Sequence, residues 1–509
     1  MPNHSESPKA ASSSISLNQA NLSRLSPDLN PPTYDRKALK PRIVHVGVGG
    51  FHRSHEAFYT DELLRQNPSC DWGICGVGLR EADTRIAEVL KRQDHLYTLI
   101  VRHPDGKVES QVIGSIMGFL QGWTDPEAVI NQMADPVTEI VSLTITEGGY
   151  NVDTATGEFN WNNPDAVHDL EHPQTPKLVF GFLTAALQQR RAKNLPAFTI
   201  QSCDNIQHNG NLTRKMLLAF AERQDPELAN WIDAQVAFPN AMVDRITPVT
   251  TAADSDHLLE RYGVVDEWPV TCEPFCQWVI EDQFSSGRPA WEAAGTQFVP
   301  DVTPYEKMKL RLLNAGHSVL GLLGSLRGFG TIDEAVNDSL FAEYLRGFMD
   351  IEATPTLDRV EGIDLSGYKS TLIERFGNPN IKDRLSRICL ESSAKLPVFL
   401  IPTLRDNLDS GGSIKFATLV LVAWCYYSDH QTDLEGNGLE IIDGLKEPLH
   451  RAAAGTRQEP LSFLDVKPVF GDLACNDRFT AQYITMVEAL YETNDIASLM
   501  KTVIADAGL

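Results

Sequence analysis

RIVHVGVGGFHRSHEAFYTDELLRQ, residues 42–66, runs a short apolar strand into glycines and out again into a helical pattern. Gly47, Gly49 and Gly50 close the strand. Missing side chains there permit a tight turn and let backbone N–H groups approach a pyrophosphate, with Phe51 next in line. The positive end of the following helix, read over 52–66, would face the same phosphates. His52 occupies the place of the third glycine or alanine of G-x-G-x-x-G, so strand and helix must pack differently at that point. By itself the segment fits an ordinary glycine turn equally well.

Beyond this segment, strand-like runs recur at 72–78 (WGICGVG), 95–101 (HLYTLIV), 139–146 (EIVSLTIT) and 197–203 (AFTIQSC), with helical stretches such as KLVFGFLTAALQQRRA between them. That alternation predicts an α/β, doubly wound, Rossmann-type domain with a largely parallel sheet. Beyond Asp301 long helical patterns take over, from YEKMKLRLLNAGHSVLGLLGSL to RFTAQYITMVEALYET. The chain therefore reads as a polar arm (1–40), a dinucleotide-binding domain (41–300) and a mostly α-helical substrate-binding domain (301–509). A length of 509 residues suits more than one core.

The second strand ends in GVGLREAD, which places Glu81 and Asp83 where an acidic side chain can bond adenosine ribose hydroxyls, favouring NAD. Arg80 and Arg85 in the same loop would suit the 2′-phosphate of NADP instead. With 68 acidic against 44 basic residues and a net charge of -24, the chain would repel nucleic-acid backbones and acidic membranes. The longest apolar run, FATLVLVAWCYY at 416–427, is too short to span a bilayer and suits a buried helix. The first forty residues contain no signal-peptide core, and the eight cysteines read as reduced thiols, Cys272 and Cys276 having a spacing atypical of zinc sites. These features lead to an expectation of a cytoplasmic protein.

The segment TPYEKMKLRLLNAGHSVLG carries the densest chemistry. Thr303, Pro304 and Glu306 suit an N-cap, a first-turn proline and a capping-box glutamate. On a uniform α-helix Lys309, His317 and Asn314 fall at roughly 0°, 80° and 140°, on one side among leucines. Desolvation there would lower the lysine pKa and fit it to accept an alcohol proton, while an asparagine amide could stabilise the developing oxyanion. The same three residues also fit a snorkelling lysine, a locally bonded asparagine and a core histidine.

The stretches HVGVGGFHRSH, SLTITEGGY, SCDNIQHNG, FPNAMVDRITP, CEPFCQWVIED, DVTPYEKMKLRLLNAGH and RLSRICLESSAKLP resemble the polyol-specific long-chain dehydrogenases of the mannitol dehydrogenase family, and the likeness runs from about Asn18 onward. The resemblance implies a metal-independent, NAD-dependent oxidation of D-mannitol to D-fructose at C2, and its reverse, in a monomer. It implies Lys309 as base, with Asn205 (from SCDN) and Asn314 holding the reacting oxygen. His317, Arg387 and Lys395 would bind the polyol hydroxyls. Glu306 would pass the base's proton toward water, although helix capping explains it equally well. Asp244, with Arg245, would support the substrate site, and an internal ion pair is the simpler account of the two. An aldonate oxidoreductase acting on mannonate or altronate shares the base helix, and an inactive dinucleotide-binding scaffold would share the fold. A zinc enzyme would need a ligand set that CEPFC does not begin.

Overall fold

Strand β1 (Lys40–Val46) sends Ile43 to one face and Val44 and Val46 to the other, the two-residue period of a pleated strand. Both faces are buried, which is why its sequence shows no polar alternation. In a computed structural model describing residues 14–153 and 156–508, β1 is the middle of a five-stranded sheet. Its partners are β2 (Trp72–Gly78), β3 (Ile116–Gln121), β4 (Ile140–Leu143) and β5 (Thr199–Ser202), in the order β3-β2-β1-β4-β5. Every pairing is parallel.

Two helices follow β1 where one was expected: α1 (Gly50–Ser54) and α2 (Glu56–Gln66), broken at His55, whose φ and ψ are -121 and -92. Ala57 and Leu63 of α2 and Leu90 of α3 (Thr84–Arg92) cover the Ile43 face. The Val44 face is covered by Val129 and Met133 of α4 (Pro126–Ala134), Phe182 and Leu187 of α5 (Val179–Ala192), and Met216 and Phe220 of α6 (Asn209–Gln224). The sheet is thus doubly wound. Its strand order reverses at β1, so the carboxyl ends of β1 and β4 flank the crevice where such sheets receive ligands.

Three details differ from the sequence reading. The run at 95–101 forms Tyr97–Arg102, which joins not the main sheet but a small one, antiparallel to Val108–Ile113 and parallel to Val270–Cys272. Strand β3, IMGFLQ, was not foreseen, because as an edge strand it leaves most of its side chains half-buried and lacks a strong pattern. The polar arm also ends sooner than expected. Residues 1–13 lie outside the described residues, but Ile15–Ser16 pairs with Val264–Val265, and Leu17, Leu25 and Leu29 are buried with Leu96 and Ile100.

The described residues divide into two compact units, one comprising residues up to 302 without 104–106, the other 104–106 and 303–508. From Thr303 on, every named element is helical. Helix α7 (Thr303–Lys309) passes through a π turn, Leu310–Asn314, into α8 (Ala315–Arg327). Helix α9 (Lys415–His430) packs on α8 and contains the apolar run 416–427, all of it buried. Among the described residues no helix is long and apolar enough to cross a membrane.

Candidate active site

Gly47 ends β1 with φ +97, and a Cβ there would lie 2.1 Å from the Thr144 carbonyl oxygen, so the position demands glycine. Gly49 is the N-cap of α1 and has no side chain to satisfy the first-turn N–H groups, while a Cβ at Gly49 would meet nothing closer than 3.9 Å. Bare backbone donors and open space at one turn fit a pyrophosphate. Because α1 is a single short turn broken at His55, the local N–H groups carry this fit, not the dipole of one long helix. Beside the turn a cleft of about 530 Å³ is lined by Gly50, Phe51, Arg53, Arg85, Thr247 and Trp268 among others.

In the loop after β2, Asp83 accepts a hydrogen bond from the Arg80 backbone N–H (3.0 Å) and pairs with its guanidinium (3.4 Å). Arg85 lies over the Trp268 ring, 4.8 Å from its centroid. Of the two acids expected at the ribose, Asp83 is held by its own loop and Glu81 is exposed.

The place of the missing third glycine holds a buried polar cluster. Glu56 Oε2 lies 2.9 Å from His45 Nδ1, 3.2 Å from His52 Nδ1, and accepts from Ser142 Oγ at 2.9 Å. Burial pushes the His52 pKa down to about 3, so that ring is neutral, while at Glu56 burial is outweighed by the two adjacent histidines, which hold its carboxyl well below the usual carboxylate range. Among the described residues this is the one group of three His, Cys, Asp or Glu ligands close enough to share a metal ion. Its geometry suits one poorly. The two imidazoles are stacked with centroids 3.4 Å apart and planes 15° from parallel, so their in-plane lone pairs cannot converge on a point about 2 Å from both. All eight cysteines are unpaired thiols, and burial raises Cys272 to about 12.

The second unit carries the base helix. It begins at Thr303 itself, one residue earlier than the capping-box reading, and Glu306 and Lys309, one turn apart, are both buried. The π turn changes the angular arrangement. The Ala315 N–H reaches back to the carbonyl of Leu310, five residues away. A residue at i+5 therefore sits where i+4 would in an α-helix. Measured from Lys309, Asn314 moves from roughly 140° to roughly 40°, and His317 from roughly 80° to roughly -20°. The three side chains share a narrower stripe than the uniform helix predicted. Among the described residues Asn314 Oδ1 is buried without a hydrogen-bond partner. Whichever way that amide is turned, one polar atom there awaits an external group. The His317 ring packs 4.4 Å from that of Phe376.

Arg387 is exposed, and its Nε and Nη2 are both engaged by the buried carboxylate of Asp383. Lys395 Nζ donates to the Ile388 carbonyl at 3.0 Å. In the first unit, Asn205 is exposed just after β5. Its neighbour Asp204 accepts from the backbone N–H groups of Ile145 and Thr146 and from the Tyr150 hydroxyl, tying the loop after β4 to the loop after β5. Asp244 ends the strand Ala241–Asp244 and is buried. Arg245 donates to the carbonyls of Ser54 (2.6 Å) and Glu273 (3.2 Å), with its guanidinium over the Phe58 ring.

Family models for a mannitol dehydrogenase Rossmann domain and a mannitol dehydrogenase C-terminal domain match residues 41–293 and 301–491. The chain belongs to the mannitol dehydrogenase family. Its relatives include mannitol 2-dehydrogenases of Phaeosphaeria nodorum (45% identical, covering 94% of this chain and 84% of the relative) and Aspergillus fumigatus (44%, covering 96% and 98%). A solved Pseudomonas fluorescens mannitol 2-dehydrogenase, in ternary complex with NAD and D-mannitol, is 44% identical with a TM-score of 0.86, over 96% of this chain and all of that one. A D-sorbitol dehydrogenase in substrate-free form is 36% identical with a TM-score of 0.88, over the same shares.

Sequence reasoning about this mannitol dehydrogenase family member passed over His45, Glu56, Ser142 and Thr144. The signal was present: His45 and Ser142 are polar residues inside runs, IVHV and IVSL, that a strand buried on both faces would otherwise fill with apolar side chains.

Proposed function

We propose that this chain is an NAD-dependent mannitol 2-dehydrogenase that interconverts D-mannitol and D-fructose, with Lys309 as general base and no metal. NAD, when bound, supplies the acceptor for the hydride leaving C2. The Lys309 amine takes the hydroxyl proton as that hydride departs, and the protonated amine returns it during ketose reduction. Lys309 is buried on the base helix, as is Glu306 one turn before it. Asn314 and Asn205 donate amide N–H groups to the oxygen as negative charge develops. His317, Lys395 and Arg387 hold the remaining hydroxyls, Asp244 supports the substrate site, and Glu306, one helical turn before Lys309, carries the proton onward. Gly47, Gly49, Gly50 and Phe51 would receive the pyrophosphate end of the cofactor, and Glu81, the acid left exposed, would meet the ribose in preference to Asp83.

The observation that carries this reading is the π turn, which gathers Lys309, Asn314 and His317 on one stripe and leaves a buried amide atom of Asn314 for a ligand. A polyol is favoured over an aldonate because the Arg387 fork already holds the Asp383 carboxylate, which a substrate carboxylate would have to displace. NADH formation by the wild type and Lys309→Ala, with mannitol, sorbitol, arabinitol and mannonate, tests both points. The variant should lose about 10²- to 10⁴-fold in kcat. Near-normal turnover would remove Lys309 as base, and a preference for mannonate would overturn the substrate.

A further inference from the structure

The carbonyl oxygen of Gly47 is the hub of the glycine turn. It accepts from the Gly49 N–H at 2.7 Å and from the Thr144 hydroxyl at 2.6 Å. The Thr144 hydroxyl has one proton, and giving it to Gly47 leaves the oxygen to accept from elsewhere. His45 Nε2 stands 2.8 Å from it. The other ring nitrogen, Nδ1, lies 2.9 Å from Glu56 Oε2 and 2.8 Å from Ser142 Oγ. Ser142 donates to the same carboxylate oxygen. These distances close into one unbroken series of donors when both ring nitrogens of His45 carry protons, an imidazolium whose Nδ1–H faces Ser142 Oγ and the Glu56 carboxylate and whose Nε2–H faces Thr144. His45, Glu56 and Ser142 are all buried, so no water substitutes for a lost member. The neutral His52 ring is stacked on His45 and fixes its plane. In this way a histidine takes up the volume and the strand-to-helix packing that a third glycine would otherwise leave to close contact.

We propose that Glu56, His45 and Thr144 form a positioning relay for dinucleotide binding: from the buried carboxylate they hold the Gly47 carbonyl, and through it the turn 47–50, in the conformation that receives the pyrophosphate. The relay rests on the reading of that turn as the dinucleotide site. None of its members is among the residues proposed to act on the substrate, so its effect is expected on cofactor affinity and not on the chemical step.

Three variants of the full-length protein test it: Thr144→Val, nearly isosteric but without the hydroxyl; Thr144→Ser, which keeps it; and Gly49→Ala, whose added methyl meets no protein atom closer than 3.9 Å but stands where a phosphate would pass. The readouts are the NADH dissociation constant by fluorescence titration, kcat at saturating cofactor, and the melting temperature. Thr144→Val should weaken NADH binding about tenfold with kcat within about twofold, and Thr144→Ser should bind as the wild type does. Thr144→Ala replaces the valine variant if the latter does not fold. Unchanged affinity in Thr144→Val beside weakened affinity in Gly49→Ala overturns the relay while the site reading stands. Unchanged affinity in Gly49→Ala overturns the site reading, and the relay with it.

Discussion

Asn314 follows Lys309 by five residues, and the π turn between them sets the two side chains roughly 40° apart around the helix instead of roughly 140°. An extra residue in one turn has turned a pair that would diverge into a pair that can address one oxygen. Asn314 brings a buried amide atom that has no partner among the described residues, a desolvation cost that a bound hydroxyl would relieve. Asn314→Ala is therefore expected to fold normally and to lose about 10²- to 10³-fold in kcat, the scale of an oxyanion donor. Steady-state kinetics with mannitol, beside a circular dichroism spectrum, measure it. A variant within threefold of wild type would show that the amide does not serve the reacting oxygen.

Asp383 grips the exposed Arg387 guanidinium through two of its nitrogens. If Arg387 binds a substrate hydroxyl with what remains of its fork, the buried carboxylate is what aims it. Asp383→Asn should raise the KM for mannitol about tenfold with little change in kcat, since an orienting contact is present in ground state and transition state alike. Equal KM values for variant and wild type would separate Arg387 from the substrate.

Glu352 is fully buried in the second unit and accepts from the N–H groups of Phe416 and Ala417, at the start of α9, and from the Ser413 hydroxyl. Burial outweighs those bonds and raises its pKa to about 7. A carboxyl in the unfolded chain titrates near 4.3, so between about pH 4.3 and 7 the folded protein keeps a proton that the unfolded chain has released. Stability from this group is complete below that window and is lost as pH rises through 7, by about 4 kcal/mol in all. Melting curves from pH 5 to 8 should show this fall in the wild type. Glu352→Gln, less stable throughout because one backbone N–H would face an amide NH₂, should show a shallower slope. Parallel slopes would place the proton elsewhere.

The stacked arrangement of His45 and His52 offers poor geometry to a shared ion. Dialysis against a strong chelator should leave mannitol oxidation within about twofold, in keeping with an amine base. Activity lost on dialysis and restored by zinc would refute a metal-independent mechanism.

Local chemistry explains what was legible in the sequence. The strand, turn and helix at 42–66, the change to helices near residue 301 and the buried helix at 416–427 each depend on residues within a few turns of one another. So does the presence of Lys309, Asn314 and His317 on one helix, because their spacing is a property of the chain itself. What depends on distant partners was not legible. The sequence cannot show that Ser142 and Thr144, nearly a hundred residues from His45, stand beside it across adjacent parallel strands, or that Asp383 occupies Arg387. Nor does a hydrophobic period, which averages over a helix, register a single turn closing on the fifth residue instead of the fourth. Packing chose that turn, and packing decided that a histidine stacked on a histidine could stand where the dinucleotide fingerprint calls for glycine.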